Sequence, residues 1–145
     1  MLNEQKMGLA ASLISGWPVR VETSLPKYEP QPGYAPSPAT SVQKTGDSFV
    51  IRLPIAAGSE DTIVETLVYC MGRVSNWFTD ERDNVSEGTR VASALAWKQH
   101  LFGEIDLYGF HGSEAIEHLI RHGEQLARAR LATQRGYGDG ADLEF

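Results

Sequence analysis

The chain has 145 residues, of which 41% are hydrophobic and 22% are charged, and its formal net charge is −6. These values are typical of a soluble globular protein, and this length predicts a single domain over residues 1–145. The acidic balance argues against a dedicated nucleic-acid-binding protein, because that affinity rests on cationic contacts with phosphate.

Cysteine use and hydrophobic patterning predict where the protein works. The one cysteine, Cys70, cannot form an internal disulfide, which favours a reducing compartment. No apolar run approaches the length of a membrane-spanning helix, and residues 1–16 lack the basic start and apolar core of a signal peptide. We therefore expect a cytoplasmic protein that does not contact membranes.

The first predicted elements are a short helix and a short strand. Asn3 can cap a helix from Glu4 to about Ser15, and Gly16 can end it in a left-handed conformation. The alternation of apolar and polar residues over 19–22 then predicts a half-buried strand.

A proline-rich arm follows at residues 24–45, which hold five of the chain's seven prolines. Such a composition predicts an extended connection, neither helix nor central strand. Loops of this length are uncommon inside compact domains and are usually functional or disordered. The arm is thus either a mobile linker or a segment that lies on a partner through Tyr28 and Tyr34.

Residues 47–55 give the clearest strand signal. Phe49, Ile51, Leu53 and Ile55 alternate with residues that can face solvent. We expect this strand to pair antiparallel with residues 19–22, with the arm as an overlong hairpin connection.

The stretch from Ser59 to Phe78 predicts the central helix of the fold. Ser59 is suited to cap its first turn. Its apolar residues cover more than the roughly 100° stripe of an ordinary surface helix, which indicates cover from several directions. We interpret Cys70 as packing, and we expect any uncovered flank near Val68 and Phe78 to meet a partner. The apolar residues are Ile63, Val64, Leu67, Val68, Cys70, Met71, Val74, Trp77 and Phe78.

Two further helices are predicted. The first runs from Glu87 to Phe102, with Ser86 as its cap, Gly103 as its end, and an apolar face of Val91, Leu95 and Phe102 that also includes Lys98. Residues 104–110 then predict either a strand or an irregular turn, and their alternation favours a strand.

The last helix is predicted from Glu114 to about Gln134, with Ser113 as its cap and Gly136 as its end. Residues 136–145 are rich in glycine and aspartate and are predicted to form a flexible tail. The resulting fold class is α+β. An antiparallel ribbon of two or three strands packs against three main helices and a short N-terminal helix.

One group of residues on the last helix could bind a metal ion. Glu114, His118 and His122 follow one another at four-residue spacing, so their side chains can converge on zinc or another transition metal. The glutamate between the histidines of the HExxH motif is absent, which makes the signal weak. We therefore predict no cofactor and keep a metal-dependent enzyme or sensor as an alternative function.

Three arginines on the same helix suggest a second alternative. Arg121, Arg128 and Arg135 recur every seven residues, as in a stripe that contacts nucleic acid. However, Glu117 and Glu124 each lie four residues before an arginine, a spacing that favours salt bridges within the helix. A nucleic-acid-associated regulator is thus disfavoured.

The chain contains none of the glycine-rich phosphate-binding or nucleophile-elbow motifs of common enzyme classes. Aromatic residues and arginine are typical anchors of protein interfaces. The preferred function is therefore a non-enzymatic protein that binds another protein or copies of itself. It would act as an assembly subunit, or as a small inhibitor or adaptor of the kind found among phage and mobile-element accessory proteins. The predicted contact residues are Tyr28, Tyr34, Trp97, Arg130 and Tyr137.

Overall fold

The structure is a computed structural model that describes residues 2–24, 41–54 and 59–143; the side chains of residues 24, 41, 54 and 134–143 are not among the described parts. It confirms the α+β class. In chain order the elements are α1 (Glu4–Ser15), β1 (Val19–Ser24), β2 (Ser41–Thr45), β3 (Ser48–Pro54), α2 (Glu60–Ser75), α3 (Trp77–Arg82), α4 (Glu87–Glu104), a 3₁₀ turn (Leu107–Gly109) and α5 (Gly112–Leu143).

The sheet is mixed, with the strand order β1-β3-β2. β2 pairs antiparallel with β3, whereas β1 pairs parallel with β3, so that Val19 lies opposite Phe49. The predicted antiparallel pairing of residues 19–22 with residues 47–55 was therefore wrong. The reason is that the predicted arm contains the additional strand β2. The chain turns back after β2, so β3 runs in the same direction as β1.

The turn between β2 and β3 carries a signal that could have revealed this strand. Gly46 has a φ of +62°, a conformation that glycine adopts at no steric cost and that tight hairpin turns require. A Gly-Asp pair between two runs of suitable strand residues therefore marks a hairpin at residues 41–54.

One face of the sheet forms the wall of the core. Side chains at alternate positions of β1 and β3 are buried there: Val19, Val21, Phe49, Ile51 and Leu53. On the opposite face, Glu22 pairs with Arg20 at 2.8 Å and with Arg52 at 3.2 Å. The described helices therefore pack against the face that carries these buried side chains.

Helix α1 matches its prediction and also covers the β1 edge. Asn3 Oδ1 accepts a hydrogen bond from the Lys6 N–H at 3.0 Å, and Gly16 ends the helix with φ +81°. Ser12 Oγ donates to the Val19 carbonyl at 3.0 Å and accepts from the Val19 N–H at 2.9 Å. These bonds occupy backbone groups that would otherwise be open to pairing with another strand.

Helix α2 is the central pillar, as predicted. It contacts α1, α4, α5, β2 and β3, and its cap Ser59 accepts from the Thr62 N–H at 3.2 Å. Val68 is fully buried, whereas 37% of Phe78 is exposed. Of the flank where a partner was expected if it stayed uncovered, only the Phe78 end is therefore open to solvent.

The predicted helix from Ser59 to Phe78 is interrupted at Asn76, which separates α2 from α3. The break turns Trp77 and Phe78 toward the sheet. There the Phe78 ring lies 4.8 Å from the Trp17 ring, and the Trp77 ring lies 5.6 Å from the Phe49 ring, between centroids. Aromatic packing of this kind stabilises contacts beyond the area that they bury.

Residues 104–110 do not form the predicted strand. Asp106 adopts a left-handed conformation with φ +52°, and a 3₁₀ turn follows that buries Leu107. Aspartate is one of the few residues that tolerate this conformation, and it ends the extended geometry that a strand would need.

Helix α5 begins at Gly112, before the predicted cap Ser113, and continues to Leu143. The predicted end at Gly136 was therefore wrong. Glycine costs a helix only about 1 kcal/mol relative to alanine, and no proline follows to remove a backbone donor. Among the helices of the described residues, none is both long and apolar enough to cross a membrane.

Candidate functional site

The candidate site starts from a close contact between two helices. A Cβ placed on Gly72 of α2 would lie 3.0 Å from the Ala94 carbonyl oxygen of α4 and 3.0 Å from Cε3 of Trp97. A Cβ at this distance is tighter than most real contacts, so a glycine at position 72 favours the close approach of the two backbones. The side of α4 that carries Ala94 therefore faces α2.

This orientation of α4 determines which of its side chains are buried. Ala94 and Leu101 point into the core together with Phe102. Val91 is only half-buried, and 42% of Leu95 is exposed. The predicted apolar face was thus correct at Phe102 and wrong at Leu95, which leaves an apolar strip in contact with solvent.

The strip borders a groove between α2 and α4 with a volume of about 360 Å³. We call it the α2–α4 groove. The two helices run antiparallel, since Arg73 near the end of α2 pairs with Glu87 at the start of α4. The lining residues are Thr62, Glu65, Thr66, Tyr69, Val91, Leu95 and Lys98.

One end of the groove is held in place by Arg73. Its guanidinium donates to the Tyr69 hydroxyl at 3.0 Å and lies 2.9 Å from the Glu87 carboxylate. Because most of the Arg73 side chain is buried, these contacts restrict the Tyr69 ring. The groove is therefore formed before any partner binds.

The other end of the groove leads to a second cavity of about 120 Å³ that shares Glu65 with it. Here the Phe102 and Tyr108 rings lie 4.9 Å apart, and 62% of Tyr108 is exposed. The two cavities thus adjoin at Glu65, and the second one is lined by both aromatic and charged side chains.

The charges of the groove lie on opposite walls, with Glu65 on α2 and Lys98 on α4. Lys98 Nζ lies 5.7 Å from the centre of the Phe102 ring. Within the described parts of the chain, neither Glu65 nor Lys98 forms an ion pair. Both groups are therefore available to a molecule that enters the groove.

The residues proposed from the sequence as metal ligands have other surroundings. His118 Nε2 donates to the Ile105 carbonyl at 2.7 Å, and its ring stacks on Phe110 with 4.1 Å between centroids. Glu114 is exposed and His122 is half-buried. The side chains that the structure describes include no group of three His, Cys, Asp or Glu residues arranged to hold a metal ion.

The predicted salt-bridge ladder on α5 does not form where the structure describes it. The Glu117 carboxylate pairs with Lys6 of α1 and not with Arg121. No ion pair joins Glu124 to Arg128, both of which are described and exposed. The side chain of Arg135 lies outside the described parts.

Of the five predicted contact residues, two make internal contacts. Trp97 is half-buried against Gly72. The Arg130 guanidinium donates to the carbonyl oxygens of Leu13 and Ile14, each at 2.6 Å. Tyr137 belongs to the helical backbone of α5 without a described side chain, and Tyr28 and Tyr34 lie outside the described residues.

A polar junction near the groove connects α2 to the start of α5. Asp61 Oδ1 accepts from the Gly112 N–H at 3.1 Å, and Asp61 Oδ2 lies 2.9 Å from His111 Nδ1. The hydrogen bond from His111 and then that from Gly112 lower the pKa of the Asp61 carboxyl. The junction anchors the first turn of α5.

Sequence reasoning placed Lys98 on the apolar face of α4 but missed Glu65, Tyr69 and Tyr108 as parts of one surface. The signal that could have found them is the pair of small residues Gly72 and Ala94, which permits close helix packing. Comparisons of the chain with protein-family models, with curated proteins and with solved structures find no match.

Proposed function

We propose that the protein is not an enzyme and acts by binding a protein surface through the α2–α4 groove. The observation that supports this most directly is the exposure of Leu95 beside Val91 and Tyr69 in a groove formed by two packed helices. Burial of one leucine side chain contributes about 1.5–3 kcal/mol. A partner that covers the strip therefore gains favourable free energy at its centre.

The form of the groove favours a helical partner. Val91, Leu95, Lys98 and Phe102 recur along α4 at the spacing of one helix face. The groove between two neighbouring helices can accept the side chains of a third helix, as in helix-in-groove recognition. The partner surface we expect is one or more amphipathic helices with an apolar stripe.

The anchoring of Tyr69 by Arg73 supports the same proposal. Ordering a flexible side chain on binding costs about 0.5–1.5 kcal/mol. Because Tyr69 is already held by Arg73, its side chain loses less conformational entropy on binding. More of the free energy of its contacts therefore contributes to affinity. Lys98 and Glu65 then supply polar contacts that fix the register of the partner.

Site-specific photo-crosslinking tests the proposal. A photoreactive amino acid replaces Leu95 in the groove, and in a matched control it replaces Ala96, an exposed residue of the same helix that lies about 100° around the axis from Leu95. We expect irradiation in the native host to join the Leu95 variant to a protein, identified by mass spectrometry, while the Ala96 variant stays unlinked. If neither position forms a protein adduct, the proposed function is wrong.

A further inference from the structure

We propose that the occupant of the α2–α4 groove is the same groove of a second copy of this chain, related by a two-fold axis. This inference rests on the proposed function and names its partner. In the assembly, α2 of one copy lies along α4 of the other, and Glu65 of each copy faces the partner's Lys98.

The charge pattern supports self-recognition. A two-fold interface brings one surface patch against an identical patch, so a patch that carries one sign of charge repels itself. The α2–α4 groove carries one acid and one base on opposite walls, and neither has an ion-pair partner among the described residues. In a two-fold dimer, Glu65 of each copy can therefore form an ion pair with Lys98 of the other copy.

The same pattern selects the direction of the axis. A two-fold axis along the groove exchanges the α2 wall with the α4 wall at the same level, so that Glu65 meets Lys98. An axis across the groove would leave each wall on its own side and would bring Glu65 toward its own counterpart. Like charges at close range are unfavourable, so we assign the axis along the groove.

The apolar residues of the groove fit the same arrangement. With the axis along the groove, Leu95 and Val91 on α4 face Tyr69 of the partner, which lies on the opposite wall. Each copy thus covers the strip that the rotation of α4 leaves exposed. The four helices form an antiparallel bundle with the apolar side chains inside.

The area of the proposed interface indicates how tightly two copies should associate. Helix α4 has 18 residues, which corresponds to a length of about 27 Å, and two packed helices are about 20 Å wide. If the full length of this face packs, each copy buries at most about 500 Å², or about 1,000 Å² in total. This upper bound is at the weak end of specific interfaces, so we expect a dimer with a Kd on the order of micromolar.

Sedimentation equilibrium over a range of concentrations tests the dimer with the full chain. We expect wild type and Ala96→Glu, a change at an exposed residue away from the groove, to pass from monomer to dimer as concentration rises, and Leu95→Glu to remain monomeric. Circular dichroism checks that each variant is folded. A wild-type chain that stays monomeric up to about a hundred times the expected Kd would overturn the inference.

Charge reversal gives a second test that does not depend on any single variant. Glu65→Lys and Lys98→Glu should each weaken self-association by about tenfold or more, because each creates two like-charge contacts. An equimolar mixture of these two variants should form a mixed dimer about as tight as wild type, and so should the double variant. If neither combination restores association, the pairing is wrong.

The outcomes also separate this inference from the proposed function. A monomeric chain whose Leu95 position crosslinks to a different protein would overturn the self-association and leave the proposed function standing. A crosslinked species with twice the chain mass, formed from the Leu95 position alone, would support both.

Discussion

Gly72 of α2 lies so close to Ala94 of α4 that an added Cβ would approach the Ala94 carbonyl oxygen to 3.0 Å. The contact favours a close approach of the two helices that form the groove. It places the Ala94 side of α4 against α2, while Leu95 of the apolar stripe remains 42% exposed. Close packing at a glycine thus accompanies the groove.

Replacement of this glycine should destabilise the protein. We expect Gly72→Ala to lower the free energy of unfolding by about 1–3 kcal/mol, because the methyl group meets backbone and the Trp97 ring. Urea unfolding followed by circular dichroism measures the change. Gly103→Ala is the matched control in α4, where nothing lies within 4 Å, and it should raise stability by up to about 1 kcal/mol. Equal effects at both positions would contradict this explanation.

Arg130 should stabilise the end of α1. Its two hydrogen bonds to the Leu13 and Ile14 carbonyls satisfy acceptors that a helix end leaves open. We expect Arg130→Met to cost about 1 kcal/mol, which allows for the solvent exposure of the site. Amide hydrogen exchange in α1 should increase as well.

The control for that change is Arg128→Met, at an exposed residue of the same helix that makes no ion pair with a described group. It should leave both stability and hydrogen exchange in α1 nearly unchanged. If the two variants behave alike, Arg130 does not act as a cap.

The Asp61 junction should make stability depend on pH. Hydrogen bonds from His111 and Gly112 lower the pKa of Asp61 below its ordinary value of 3.8. A carboxyl whose pKa is lower in the folded state stabilises the fold at pH above its unfolded value, and the contribution is lost as pH falls through the folded value. Asp61→Asn should therefore lower the melting temperature at neutral pH.

The difference from wild type should shrink as the solution is acidified below 3.8, as measured by thermal unfolding in a series of buffers. Asp47→Asn, in the exposed turn between β2 and β3, serves as the control with a small and constant effect. A difference for Asp61→Asn that grows toward acidic pH would contradict the assignment.

Cys70 should resist modification while the protein is folded. It is fully buried in α2, and burial raises the pKa of its thiol to about 12. At pH 8 a thiol with this pKa is almost entirely protonated, whereas an ordinary cysteine is partly in the reactive thiolate form. We expect mass spectrometry to detect iodoacetamide labelling only after urea unfolds the chain. Rapid labelling of the folded protein would show that the thiol is accessible.

Local signals predicted many of the elements well. Asn3, Ser59 and Ser86 each accept the backbone hydrogen bond expected of a helix cap. Met7, Ala10, Ala11 and Ile14 recur in α1 at the three- and four-residue spacing of one helix face, and all four are buried. These features depend on residues within a few positions of one another, so the sequence contains the information directly.

The errors in strand pairing and in helix burial involve partners that are distant in the chain. The parallel pairing of β1 with β3 depends on β2, whose hairpin leaves only one edge of β3 free. The burial of Ala94 and the exposure of Leu95 depend on which side of α4 meets α2. Periodicity identifies an apolar stripe, but it does not say whether another element covers that stripe.

For the candidate site, too, some features follow from the sequence and others only from the tertiary structure. Sequence alone determined the α+β class, the helix caps, the core role of α2 and the presence of an apolar stripe with Lys98 on α4. Tertiary structure decided that Val91 and Leu95 face a groove, that Glu65 lies on the opposite wall, and that Arg130 holds α1. The physical reason is range: capping and periodicity are local, whereas the rotation of a helix depends on backbone contacts made by residues far apart in the chain.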